Sequence, residues 1–272
     1  MLPIWGIRVV RARGIAGAVG QMLGQLPHCS FMPPPAESPH GQDVVSARVC
    51  ASAARGLAAR HHSGVATLPV WNEVEIKLRL PDAQAYAAVA QALEPGWRQD
   101  HWLEDQYFDG PNGELDAGLV ALRCRIYDVD RRAVLALKGK PVMSDGVGRA
   151  DEIEENVDPA LARTFPHEPR ALATLDSKLM SMCRSKYGLR NGLVSLGGFK
   201  NFRREFEWGD GKQLLELDLT TFEHGQMYEL EVETAEPHVV QPKLEEFLHA
   251  RSIPFTYSTV TKFANFRNRT LQ

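Results

Sequence analysis

The stretch EVEIKLRL, Glu73 to Leu80, decides how the chain is read. Glu73, Glu75, Lys77 and Arg79 hold its odd positions, and Val74, Ile76, Leu78 and Leu80 its even ones. Period-two alternation makes a β-strand whose two faces meet different surroundings. A single strand of this kind is ordinarily an outer strand with its polar face in water. What needs a cause is a face made only of full charges, of both signs.

The pattern returns along the chain. ALRCRIY sets Arg123, Arg125 and Tyr127 against Leu122, Cys124 and Ile126, VLALKGK carries Lys138 and Lys140 in one phase, and DEIEEN aligns Glu152 with Glu154. NFRREFEW sets Arg203, Glu205 and Glu207 against Phe202, Arg204, Phe206 and Trp208. LLELDLT aligns Glu216 with Asp218, and YELEVET aligns Glu229, Glu231 and Glu233. A water-facing sheet would scatter Thr, Ser and Gln over its outer face; here the in-phase positions are ionised and segregated by sign. If the strands close into a barrel, the apolar face points outward beneath helices and the ionic face inward. So many charges cannot be packed dry. Water, metal ions and an anionic ligand would complete the balance: carboxylates suit Mg²⁺ or Mn²⁺, and Arg and Lys suit a chain of phosphates.

Helical spacing marks the segments between. PDAQAYAAVAQAL starts at Pro81 and Asp82 and stops at EPG; EPRALATLDSKLMSMCRSKYG reads as one helix capped by Gly188; PKLEEFLHARSI and STVTKFANFRNR read as two short C-terminal helices. No fixed-period repeat is present.

The chain has 272 residues with a formal net charge of -3, long enough for a substantial core and without a basic footprint for nucleic acid. Cys29, Cys50, Cys124 and Cys183 show neither metal-ligand nor disulfide spacing, which suits a reduced compartment. No run reaches the length of a membrane helix. Residues 1–70 differ in kind, with Arg at 8, 11, 13, 48, 55 and 60, no Lys, and only Glu37 and Asp43 as acids. That composition is expected of an organelle transit peptide, for plastid or mitochondrion. An unprocessed extension, leaving the protein cytoplasmic, is the alternative.

From Glu73 to Phe266 the ordered series EVEIK, LRCR, LALKGK, GVGRADEIEE, LGGFKNFRREFEW, LELD, YELEVE and TKFANFR resembles the CYTH superfamily, the triphosphate tunnel metalloenzymes. LGGFKNFR and TKFANFR are most similar to its plant tripolyphosphatase branch. The resemblance implies an α+β fold: a closed antiparallel eight-stranded β-barrel, the tunnel, with helices packed outside, over residues 71–272. It implies Glu73, Glu75, Glu231 and Glu233 as metal ligands for Mg²⁺, or Mn²⁺. Lys77, Arg79, Arg123, Arg125, Lys138, Arg203 and Lys262 would hold the triphosphate, with Lys138 and Glu152 in catalytic roles. Asp218 is expected as a tunnel carboxylate, whereas Lys140 and Arg204 read equally well as rim or outer charges. The implied activity is metal-dependent hydrolysis of tripolyphosphate to pyrophosphate and phosphate, with a small-molecule triphosphate as partner and neither nucleic acid nor membrane. Thiamine triphosphatase and nucleoside triphosphatase are the alternatives, followed by adenylate cyclase and a non-catalytic polyphosphate-binding module.

Overall fold

The computed structural model describes residues 70–272, without the side chain of Trp71. The expected leader over residues 1–70 lies, apart from Val70, outside the described residues.

The alternating segments all form strands. In chain order the elements are β1 (Trp71–Leu80), α1 (Ala83–Leu93), β2 (Trp97–Asp109), α2 (Glu114–Ala117), β3 (Val120–Tyr127), β4 (Arg132–Gly139), β5 (Val142–Ser144) and β6 (Val147–Val157). They continue as α3 (Pro159–Ala162), α4 (Pro169–Ala173), α5 (Lys178–Lys186), β7 (Val194–Trp208), β8 (Gln213–Phe222), β9 (Gly225–Glu233), α6 (Pro237–His249), β10 (Thr256–Tyr257) and α7 (Lys262–Asn268). The sheet order β1-β9-β8-β7-β2-β3-β4-β6 closes on itself through β1–β6 pairing. Eight antiparallel strands thus form a barrel, with β10 beside β1 and β5 beside β6 as short additions.

The apolar phase faces outward under helices. Ile76, Leu78, Leu80, Leu215, Leu217, Leu230 and Val232 pack with Ala85, Val89 and Leu93 of α1 and Val240, Leu244 and Leu248 of α6. Leu122, Cys124, Ile126, Leu135 and Leu137 pack with Leu172 of α4 and Leu179, Met180 and Cys183 of α5. Each fully buried side chain of this kind stabilises the fold by roughly 1.5–3 kcal/mol, so these two layers hold the barrel closed while its interior stays charged. A third cluster, Tyr107, Phe199, Phe222 and Met227 with Phe263 and Phe266 of α7, covers one end.

Two local readings change. The segment expected as one helix from Glu168 to Gly188 is two, because Ser177 accepts from the Met180 N–H at 3.0 Å and restarts the helix. Glu155 anchors that restart, accepting from the Ser177 hydroxyl and the Leu179 N–H, both at 2.9 Å. α6 begins at Pro237, five residues before the expected start, and takes Pro242 into its interior. β2 has charges in both phases, Asp105 within and Glu104 without, so its sequence lacks the clean alternation of its neighbours.

Candidate active site

Strand register decides which charges meet inside the barrel. Lys77 on β1 stands opposite Glu231 on β9, Lys138 on β4 opposite Glu152 on β6, Arg203 on β7 opposite Asp218 on β8, and Asp105 on β2 opposite Arg125 on β3. Cross-strand neighbours lie within reach of long side chains, and each of these pairs is in contact. Two adjoining cavities of about 160 and 330 Å³ share Glu73, Arg123, Arg125, Lys138 and Arg203 in their walls.

Glu231 is the hub of the inner end. It accepts from Lys77 at 2.9 Å and Arg203 at 3.0 Å, and it also holds Lys262, which α7 inserts from the covered end. Thr261 caps α7 by accepting from the Ala264 N–H, and so sets the direction in which Lys262 leaves the helix. Lys262 also reaches Asp218 at 2.8 Å and Glu229 at 3.2 Å. Burial opposes charge on Glu231, yet Lys262, Lys77 and Arg203 overcome it and hold its pKa well below the usual carboxylate range.

The opposite mouth is acidic. Glu73 and Glu152 share Lys138, each at 2.9 Å, and Glu152 also accepts from Arg123 at 3.2 Å. Glu154 and Glu233 stand exposed at the rim, and Glu216 contacts Arg203. Partial desolvation at the barrel wall raises the pKa of Glu154 and Glu233, whose ends still reach solvent, and fuller burial that of Glu216; acidic neighbours raise each further: Glu152 for Glu154, Asp218 and Glu231 for Glu216, Glu73 for Glu233. Glu75, although paired with Lys77 at 2.6 Å, is pushed up to about 8, first by burial and then by Glu231 and Glu73. Carboxylates outnumber cations in this lumen, and the surplus lies toward the mouth.

Of the residues expected from sequence, Glu73, Glu75, Lys77, Arg123, Arg125, Lys138, Arg203, Glu231 and Lys262 line the first cavity, and Glu152 and Glu233 the second. Arg79 lines neither. Its guanidinium pairs with Glu229 at 3.3 Å and donates to the Gln272 carbonyl, so it fastens the chain's last residues near α7. Lys140 is exposed beyond the end of β4, and Arg204 lies outside, paired with Asp100 and Glu94. Glu73, Glu75, Glu231 and Glu233 do not converge on one point: among the described residues no three acidic, His or Cys side chains form a ready metal cage. Sequence reasoning missed Asp105, buried in β2 with both oxygens on Arg125 at 2.6 and 2.8 Å. The signal was its in-phase spacing with Tyr107, obscured by Glu104 and Leu103.

The CYTH domain family profile matches residues 72–266. The chain belongs to the CYTH domain family. A solved structure of a Hippeastrum protein, described as an adenylyl cyclase candidate that reveals a dominant triphosphatase activity, is 38% identical and superposes with a TM-score of 0.71. That match covers 74% of this chain and 97% of the other. A Bacillus halodurans protein described as an adenylate cyclase candidate shares the fold at 19% identity and TM-score 0.56, covering 72% and 98% of the two chains. No curated protein matches the sequence.

Proposed function

We propose that this protein hydrolyses a triphosphate inside the barrel, with inorganic tripolyphosphate as first substrate and Mg²⁺ or Mn²⁺ as cofactor. The observation that carries the reading is a lumen in which Arg and Lys reach in from several strands while carboxylates remain in excess. Bases alone would suffice to bind an anion. The surplus acids call for a cation as well.

The donor set fits a hard divalent metal. Every surplus group is a carboxylate oxygen, and Glu75 is raised first by burial and then by its acidic neighbours Glu231 and Glu73. Mg²⁺ is commonly held by one or two carboxylates together with substrate phosphates and water rather than by a complete protein cage. Glu73, Glu75, Glu231 and Glu233 are the carboxylates that would hold it, one or two at a time, since the four do not meet at one point among the described residues. When bound, it supplies Lewis-acid neutralisation of phosphate oxygens.

The chain's own residues do the rest, since phosphoryl transfer is governed by alignment and charge stabilisation. Arg123, Arg125, Arg203, Lys77 and Lys262 bind the oxygens and fix the chain of phosphates along the lumen. Lys138 stabilises charge at the reacting phosphoryl group. Glu152, oriented by Arg123 and Lys138, orients a water for in-line attack on the terminal phosphorus. As the water oxygen bonds to that phosphorus its proton passes to Glu152, the bond to the bridging oxygen breaks and pyrophosphate leaves, with phosphate as the second product. The Hippeastrum relative's dominant triphosphatase activity supports hydrolysis over cyclisation.

The test is a panel of tripolyphosphate, ATP, thiamine triphosphate and RNA 5′-triphosphate with Mg²⁺ or Mn²⁺, scored by the bond broken. Tripolyphosphate is expected to give the highest kcat/KM, and EDTA to abolish turnover. Preference for a nucleotide, or full activity in chelator, sinks the proposal. We further propose organelle import through residues 1–70; a cytosolic signal from a fluorescent fusion of that segment counts against it.

A further inference from the structure

We propose that Asp105 is a positioning residue: it locks the Arg125 guanidinium so that one edge stays presented to a phosphate oxygen. The inference rests on the reading of the lumen as a triphosphate site. Asp105 is 1% exposed and stands directly across the β2–β3 ladder from Arg125. Its Oδ1 accepts from Nε at 2.6 Å and its Oδ2 from Nη2 at 2.8 Å. That paired geometry occupies one edge of the planar group and leaves Nη1 unengaged by Asp105.

The pair differs from the other ion pairs of the lumen in being private. Glu231 is shared by Lys77, Arg203 and Lys262, Glu152 by Arg123 and Lys138, and Asp218 by Arg203 and Lys262. An arriving phosphate or cation must redistribute those contacts. Asp105 serves no second cation among the described residues, and Arg125 uses no second carboxylate. Arg125 can therefore keep its pose while its neighbours exchange partners.

Crowding shows what the lock prevents. Arg123 and Arg203 both repel Arg125, and Glu154 and Glu216 line the outer cavity beside it. Without Asp105 the guanidinium is driven toward those carboxylates and away from the phosphate path.

The experiment is a double-mutant cycle on the full chain, read by calorimetric titration with inorganic tripolyphosphate and Mg²⁺ and by the KM and kcat of hydrolysis. Asp105→Asn is expected to weaken binding about 10- to 100-fold, the scale of losing a buried charge-assisted contact, and to raise KM more than it lowers kcat. Asp105→Glu, which keeps the carboxylate, is expected to recover part of that loss. In an Arg125→Ala background Asp105→Asn should add nothing, because the group it positions is gone. A residue that only stiffens the wall would give the same loss in both backgrounds. Wild-type affinity in Asp105→Asn, or an equal loss with and without Arg125, overturns the inference. If Asp105→Asn does not fold, Asp105→Glu replaces it in the cycle under the same criterion. Absence of tripolyphosphate binding by the wild-type protein overturns the proposed function and this inference with it; binding with additive losses overturns the inference alone.

Discussion

Glu75 and Glu231 face the same lumen from neighbouring strands and carry opposite electrostatic fates. Glu231 has three cations and is held ionised well below the ordinary range; Glu75 has one, and is pushed up to about 8. Burial acts against the charge of both, so the difference lies in the company each keeps. The inner end, closed by α7, is a saturated salt-bridge network. Glu75, in the cavity it shares with Glu231, begins an unsaturated one that continues through Glu73, Glu152, Glu154, Glu216 and Glu233 to the mouth, and an unsaturated network of acids beside fixed bases is what a metal and a polyphosphate together would complete.

The sharpest way to break this comparison is Glu75→Gln. Gln keeps the shape and an acceptor for Lys77 but removes the charge, so hydrolysis should fall roughly 10²- to 10⁴-fold, a few kcal/mol of transition-state stabilisation. Steady-state rates over a Mg²⁺ titration check it. A rate unchanged at every metal concentration would remove Glu75 from the site.

Lys138→Ala should follow in size, with turnover down about 10²- to 10³-fold, the scale for losing one preorganised charge partner. It also leaves Glu73 and Glu152 without their shared cation. Metal affinity should therefore hold or rise while kcat drops. Loss of Mg²⁺ binding in calorimetry, with kcat preserved at saturating metal, would reverse the assigned role.

The same Glu75 variant gives a smaller effect on stability, with a definite sign. A carboxyl whose folded pKa is raised to about 8 keeps its proton when folded and loses it when unfolded near pH 4.3. Its contribution is fully present below that lower value and is lost as pH rises toward 8. In chelator, Glu75→Gln should match wild type near pH 4 and melt progressively higher than it up to pH 8, by on the order of 10 °C for a domain of this size. A gain that is largest at acid pH would mean that Glu75 is instead stabilised in its charged form.

Much of this site was legible because alternation is a local property that register merely transmits. Once Ile76 and Leu78 are buried outward, Glu75, Lys77 and Arg79 have to point inward. What did not show was pairing. Asp105 belongs to a strand with charges in both phases, and its partner Arg125 is across a ladder that sequence spacing does not specify. Arg79 has the right phase, yet it lies so far along β1 that it meets Glu229 and the folded-back end of the chain instead of the cavities. The break between α4 and α5 hid for the same reason: Ser177 becomes a cap only where Glu155 from β6 lies beside it.

The smallest expected effect separates two adjacent arginines. Arg203 and Arg204 follow each other on β7 and therefore face opposite sides of the barrel wall. Arg203 is ringed by Asp218, Glu216 and Glu231; Arg204 reaches Asp100 at 3.2 Å and Glu94 at 3.3 Å, partners open to solvent. Surface pairs of this kind contribute about 0–1 kcal/mol, and among the described residues Glu94, Asp100 and Phe206, which Arg204 contacts, line neither cavity. Arg204→Ala should leave tripolyphosphate kcat/KM within about twofold of wild type and cost little stability on that scale. Arg203→Ala, by contrast, should injure turnover as deeply as Lys138→Ala, because it strips a phosphate ligand and releases three carboxylates at once. Measuring both rates tests the facing of the wall one residue at a time: equal losses in the two variants would mean that the ionic phase does not point inward along β7.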